Sequence, residues 1–393
     1  MELDPQIKRV NFMFEIGYNK KMPFFYSCAF QNFYCECLLK CKPVSEVSLS
    51  NEIHLVYDVP SYLDVNKRYL DSSVGFKSVI QHSGYCIDLN GYDNIEKYIE
   101  DSFSRSSRQL LRSGKKRLEL CFDISYKMYY GDIEHKHFEE LFDKFYAMLK
   151  LRAHEKGIDN GNLKRWDIYS SSVYEMILQR EASLFVIYDG GNAINISLNM
   201  HLKDIVFLFL TAYDIDYSKF RIGHTNWTVQ LEWFIKNKIR VVDFSKGNVA
   251  YKKRWANKKY TFSYHFFYEK STIAVRMKVF WLIKKLQFKQ LLRNQGLNLI
   301  YYSVLRKLKN NGEFKKKSNY KLIDQTQLPD KISLLLIAID HEDPYMIKRI
   351  IFNYLYLSSL NIKDIVIYKE TTSENTFYIS SKKEVVKLLV KDK

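Results

Sequence analysis

Arg221 to Trp255 reads RIGHTNWTVQLEWFIKNKIRVVDFSKGNVAYKKRW. A turn with one glycine, Arg221-Ile222-Gly223-His224-Thr225-Asn226, leads into an expected helix from Trp227 to Asn237 and then a buried strand from Arg240 to Phe244. The strand carries Asp243 near its end, Ser245-Lys246-Gly247 turns the chain, and Tyr251-Lys252-Lys253-Arg254-Trp255 returns toward the same edge. Upstream, Ser183 to Tyr188, Ala193 to Met200 and Ile205 to Tyr213 read as an antiparallel meander, its first turn being Asp189-Gly190-Gly191-Asn192. With the helix as crossover, the loops after Tyr213 and after Phe244 open at one end of adjacent parallel strands, where such sheets bind ligands. The fold class is therefore α/β.

A helix following the turn 221–226 offers unpaired backbone N–H groups to a phosphate or pyrophosphate, and Gly223 lets the chain approach it. One glycine before a helix is by itself a common turn. No G-x-x-x-x-G-K-[ST] or G-x-G-x-x-G occurs to point to nucleotide hydrolysis or dinucleotide binding. Lys246, Gly247 and Arg254 stand beside the second loop and join Arg221 to Asn226 as candidate phosphate-binding residues.

Outward from this core, Ile95 to Leu118 repeats apolar residues at helical spacing, with a break expected near Ser113-Gly114. Arg105, Arg108, Arg112 and Lys116 fall on one face of that helix, and such a run can equally be a solvated surface. Further helices are expected over Asp132–Lys156 and Ser171–Gln179. His135, His137 and His154 fit helix-surface positions better than a metal site, and no metal is expected. Before residue 90, Glu52–Val59, Phe76–Ile80 and Tyr85–Leu89 read as short strands parted by Pro60-Ser61 and Ser83-Gly84. Tyr260–Tyr268 is another aromatic strand. Beyond it, helices are expected over Ile273–Leu292 and Leu297–Leu308, then a strand Ile332–Ile339, a helix Pro344–Leu357 and a strand Asp364–Tyr368.

Across 393 residues, 61 basic against 44 acidic side chains leave +17, which suits a polyanionic partner: a nucleotide, a nucleic acid or an anionic membrane face. Ser271 to Tyr320 holds 12 Lys or Arg and one acid. There VRMKVFWLIKKLQFKQLL interleaves cations with a stripe of Val275, Val279, Phe280, Leu282 and Leu286, a pattern of helices that lie on an anionic bilayer and also of ordinary surface helices. No apolar run is long enough to span a membrane, and the charged start MELDPQIKRV does not read as a secretory leader, so the expected place is the cytoplasm, with the inner membrane face open to it. Six cysteines, including Cys28, Cys35, Cys37 and Cys41, match no common zinc spacing and read as thiols.

The run DFSKG followed by YKKRW, Asp243 to Trp255, resembles the C-terminal motif of GNAT-type acyltransferases of the BioF2-like, CelD-like group, and SRSSRQLLRSGKKRLE, Ser104 to Glu119, is similar to the basic helix opening that domain. The resemblance spans about residues 95 to 268. It implies transfer of an acyl group from acetyl-CoA or another acyl-CoA to an amine of a sugar nucleotide, glycolipid or polysaccharide precursor in envelope synthesis. The related FemABX peptidyltransferases, built of two GNAT-like halves, imply aminoacyl-tRNA as donor instead. A third alternative is a non-enzymatic binder of nucleic acid or membrane that keeps the fold. The chemistry implied needs a base, an acid and a donor to the carbonyl oxygen, for which Asp243, Tyr251 and Lys252 are the candidates. Many members carry Pro-Gly or Gly-x-Gly in the cofactor loop, where this chain has only Gly223. The resulting division is 1–92 as an α/β unit or degenerate GNAT-like half, 93–270 as the acyltransferase domain, 271–320 as basic helices and 321–393 as an α/β extension.

Overall fold

The computed structural model describes residues 6–27, 29–32, 37–40, 42–43, 51–67, 72–157, 159–247, 249–296, 320–329, 333–337 and 345–390. Its centre is a nine-stranded mixed sheet. In chain order the strands are β1 (Ile7–Asn11), β2 (Ile53–Pro60), β3 (Val74–Asp88), β4 (Ile124–Tyr129), β5 (Ala182–Asp189), β6 (Asn192–Leu202), β7 (Ile205–Tyr213), β8 (Val241–Lys246) and β9 (Lys258–Glu269). They lie side by side as β1-β2-β9-β3-β8-β7-β6-β5-β4. One sheet thus draws strands from both sides of residue 92.

Helices α1 (Phe12–Gly17), α2 (Ile95–Ser102), α3 (Arg105–Cys121), α4 (His135–Lys156), α5 (Trp166–Leu178), α6 (Ile222–Lys236) and α7 (Ala250–Trp255) flank it. α1, α4 and α5 cover one face through a core that includes Phe12, Phe145, Val173, Leu198 and Phe207. α2 and α6 cover the other through Tyr98, Leu231, Phe234 and Trp255. The meander and the parallel pairing of β7 with β8 agree with the sequence pattern.

Three local expectations change. The helix break falls not at Ser113-Gly114 but at Phe103-Ser104, where the Ser104 hydroxyl accepts from Ser107 N and caps α3. Gly114 sits inside α3 because a Cβ there would lie 3.2 Å from the Phe220 carbonyl oxygen, so the small residue lets the helix pack closely. The Ser83-Gly84 turn does not form either: β3 runs straight through, and Gly84 makes room for the Tyr260 ring, which a Cβ would meet at 2.2 Å.

The third concerns α8 (Ile273–Asn294), whose single apolar stripe, open to a bilayer-facing or a packed reading, is split: Val275, Val279, Leu282 and Leu286 turn inward and Phe280 stays exposed. Val275 and Val279 are buried with Ile53, Val79 and Phe266, and Leu282 and Leu286 pack on the same cluster. The helix expected over 297–308 lies outside the described residues, as do Cys28, Cys35 and Cys41.

A separate five-stranded antiparallel sheet follows, from β10 (Tyr320–Gln325), β11 (Leu334–Ile337), β12 (Ile365–Glu370), β13 (Thr376–Ser381) and β14 (Val385–Val390). Its helix α9 (Tyr345–Ser358) docks on the 3-10 segment Ile215–Phe220. Lys348 donates to Asp214 at 3.2 Å and Arg349 to Asp216 at 3.1 Å, while Phe352 packs on Tyr217. Among the described residues no helix is long and apolar enough to cross a membrane.

Candidate active site

The parallel ladder between β7 and β8 runs only from Ile205–Val241 to Phe207–Asp243, although both strands continue, β7 to Tyr213 and β8 to Lys246. Two irregularities accompany this end. β7 is bulged against β6 between Leu208 and Leu210, and β8 shifts register against β3 between Asp243 and Lys246. A cavity lies against each face of the sheet where the ladder stops.

The first cavity, about 400 Å³, is walled by Arg152, Thr211, Tyr213, Arg221, the first turn of α6 and Tyr251. α6 begins at Ile222, so the segment 221–226 is the cap and first turn of the helix rather than a loop before it. Arg221 holds the left-handed cap at φ 58°, no acid follows in the first turn, and the helix end favours an anion. Arg152 stacks over the Tyr213 ring at 4.3 Å. Tyr251 lies parallel to Trp227 with ring centres 6.2 Å apart, and burial raises its phenol above the usual range. His224 accepts from the Trp255 indole N–H at Nδ1, which leaves its ring proton on Nε2. Burial first, then Arg254 and Arg221, lower the His224 pKa to about 4, so the imidazole is neutral at pH 7.

Behind this cavity the interior is polar. Asn226 is fully buried, and its Oδ1 accepts from Asn195 Nδ2 at 2.8 Å, Ser197 Oγ at 2.9 Å and Gln230 Nε2 at 2.9 Å. Three donors on the carbonyl fix the orientation of the amide. Its Nδ2 has no partner among the described residues.

The second cavity, about 290 Å³, is walled by Asn11, Tyr18, Tyr169, Phe207, Phe209, Asp58, Ser245 and Lys246, among others. Asp58 is buried at 3% exposure. It accepts from Lys246 Nζ at 2.6 Å, Asn11 Nδ2 at 3.0 Å and Gln81 Nε2 at 2.9 Å. Asn11 also caps α1 by accepting from Phe14 N. Asp58 and Ser245 both adopt left-handed backbone, φ 60° and 59°, a strained geometry that clusters at functional sites.

The predicted residues therefore divide. Arg221, Ile222, Gly223, His224, Asn226 and Tyr251 meet at the first cavity, Arg254 sits beside His224 toward α3, and Lys246 reaches the second. Thr225 is buried in α6 and lines neither. Asp243 is wholly buried under the gap, accepting from Tyr62 at 2.6 Å, Tyr260 at 2.7 Å and the Ser245 N–H at 2.6 Å. Burial pushes its pKa up against the pull of these bonds. Lys252 belongs to α7 and donates to the Phe244 and Lys246 carbonyls at 2.7 and 2.6 Å, tying down the end of β8. Burial lowers its pKa to about 8. Gly247, at φ 116°, makes the turn that brings Lys252 there.

Sequence reasoning missed Arg152, Tyr213, Asn11 and Asp58. Only Asp58 left a trace, as the one acid inside the apolar run IHLVYDVP.

Residues 105–253 match the model of an acetyltransferase (GNAT) domain. Among solved structures, the chain is similar to a conserved protein from Bacteroides thetaiotaomicron VPI-5482, at 10% identity over 56% of this chain and 71% of that one, with a TM-score of 0.39. It is also similar to L-PGS from Bacillus licheniformis, at 11% identity over 60% and 73% with a TM-score of 0.38. A third similar structure is FemX, at 11% identity over 55% and 72% with a TM-score of 0.37. No curated protein matches the sequence. The matched residues run from α3 through the meander and the β7–α6–β8 crossover into α7, and with them the chain carries a GNAT acetyltransferase-type domain and is an acyltransferase.

Proposed function

We propose that the protein transfers an acyl group from acetyl-CoA or another coenzyme A thioester to an amine of a sugar nucleotide, glycolipid or polysaccharide precursor, in cell-envelope or surface-polysaccharide synthesis. The donor and acceptor follow from the BioF2-like, CelD-like resemblance of the motif Asp243 to Trp255. One observation carries the reading: the β7–β8 ladder stops at Phe207–Asp243, with a cationic cavity at a helix N-terminus on one face and a carboxylate-bearing cavity on the other.

In this reading the donor's phosphates rest against Arg152, Arg221 and the first turn of α6, and its thioester reaches the gap between the strands. The acceptor enters beside Asp58. Its nitrogen attacks the thioester carbon, forming the C–N bond, while Asp58 takes the ammonium proton. The Asn226 Nδ2–H donates to the carbonyl oxygen as it becomes anionic. The C–S bond then breaks, and the leaving thiolate takes a proton from Tyr251. Asp243 and Lys252 position the end of β8 in this reading, and the base is Asp58 rather than Asp243.

Aminoacyl-tRNA is the second donor to consider, because Arg105, Arg108, Arg112 and Lys116 surround an open hollow of about 550 Å³ on α3. Part of that charge is already engaged: Arg112 pairs with Glu96 at 3.0 Å and Arg108 donates to the Glu100 and Phe103 carbonyls. The purified chain is therefore to be tested with a panel of acyl-CoAs, following free thiol release and melting temperature. An acyl-CoA that binds the folded state alone raises stability as RT ln(1 + [L]/Kd). No shift with any acyl-CoA beside a shift with aminoacyl-tRNA would reverse the choice of donor.

A further inference from the structure

Helix α8 has two apolar faces, and among the described residues only one of them meets protein. Val275, Val279 and Leu286 pack on the sheet. On the opposite side Ile273, Met277, Phe280, Trp281, Phe288 and Leu291 are exposed, Trp281 at 65% and Phe288 at 61%. Their spacing puts them on a single face of a helix about 33 Å long by its residue count. Isolated exposed apolar residues are ordinary, whereas a continuous stripe of large ones marks an interaction surface.

The charges around the stripe choose the partner. α8 contains Arg276, Lys278, Lys284, Lys285, Lys289 and Arg293 and no acid. Lys284 stands within the stripe, its ammonium 5.5 Å from the Phe280 ring centre, while Lys278, Lys285 and Lys289 form one margin and Arg276 the other. Two copies meeting through this face would bring like charges together. A surface that is apolar in depth and anionic at its boundary fits both features, since aromatic rings enter the acyl boundary while lysines stay at the headgroups. We infer that the outer face of α8 docks the protein on an anionic lipid bilayer, with Trp281 and Phe288 inserted and Lys284 and Lys285 on the headgroups. This rests on the helix alone and is independent of the donor and acceptor proposed above.

The test is co-sedimentation of the full chain with phosphatidylglycerol-containing vesicles and with pure phosphatidylcholine vesicles, over a salt series. Binding is expected to the first and not the second, weakening as salt rises. Lys284→Gln with Lys285→Gln should lower partitioning about thirty-fold, at about one headgroup contact per lysine. Trp281→Ser with Phe288→Ser should abolish it at every salt concentration, and these exposed changes should leave the melting temperature unaltered. Equal recovery from both vesicle types overturns the inference, and so does full binding by the Trp281/Phe288 variant. A dimer that the same variant converts to monomer, without vesicle binding, assigns the face to a second copy, and RNA binding lost in its place assigns it to nucleic acid. Either result also overturns the inference.

Discussion

Lys246 Nζ meets Asp58 Oδ2 at 2.6 Å, although their strands, β8 and β2, are separated in the sheet by β3 and β9. Asp58 is nearly closed off from solvent while the Lys246 side chain is 46% exposed. The pair thus presents a carboxylate from the interior at a cavity wall, held by a cation that has somewhere else to go.

Asp58→Asn should lower kcat/KM about a hundred-fold or more, the scale of a lost general base. The substitution keeps the shape and the bond from Gln81, so the fold should persist. Single-turnover kinetics beside the melting temperature separates base from scaffold: the rate should fall while the melting temperature holds, and unchanged turnover would exclude Asp58.

Tyr251→Phe should cost about ten-fold in turnover with little change in acyl-CoA affinity, as expected of a lost proton donor. Lys252→Ala should cost a similar factor by another route. It frees the Phe244 and Lys246 carbonyls, so the thermal midpoint should fall together with kcat. Calorimetry beside steady-state kinetics distinguishes the two.

Asn226→Ala removes one carbonyl from three buried donors. Leaving such donors unpaired costs about 1–3 kcal/mol for each that finds no other partner. A loss of about 3 kcal/mol in urea unfolding is expected, while Thr228→Ala, on the outer side of α6, should stay within about 0.5 kcal/mol.

Acid should destabilise the fold well above the pH at which ordinary carboxylates titrate. Burial lowers His82, His224 and His265 to about 4 and His201 to about 3. Between those values and the ordinary 6.5 the unfolded chain binds protons that the folded chain refuses, so stability is full above pH 6.5 and falls as pH drops toward 4. Asp216, raised to about 6 by burial and then by Asp214, acts in the opposite sense between about pH 4 and 6. Four histidines outweigh it: on going from pH 7 to 5.5 each contributes a loss of order 1 kcal/mol. Equal urea midpoints at the two pH values would contradict the buried neutral state.

The crossover β7–α6–β8 was legible because apolar period and turn residues agree along Ile205 to Phe244. Where sequence misleads, tertiary contacts decide. Ser83-Gly84 carries a turn signal, yet Gly84 is there for the Tyr260 ring. Val275 and Phe280 belong to one apolar pattern, yet the first faces the sheet and the second faces out. Asp243 was found as a strand-end acid, but its closure by Tyr62 and Tyr260 depends on residues far away in the chain. Asp58 escaped because β2 is buried along both faces and shows no alternation to mark a polar position. Strands β10, β13 and β14 were missed as well, since short strands such as TFYISS carry little pattern of their own.

The way β3 lies against β8 bears on what can be cut out of this protein. A fragment trimmed to residues 105–253 would lose the neighbour of β8 and leave Val241–Lys246 as a raw sheet edge, open to intermolecular pairing. It would also lose Tyr62 and Tyr260, leaving a carboxylate in an oily interior with only the Ser245 N–H for company. Expression of the isolated domain should therefore give aggregates, and the smallest autonomous unit has to run from β1 through β9.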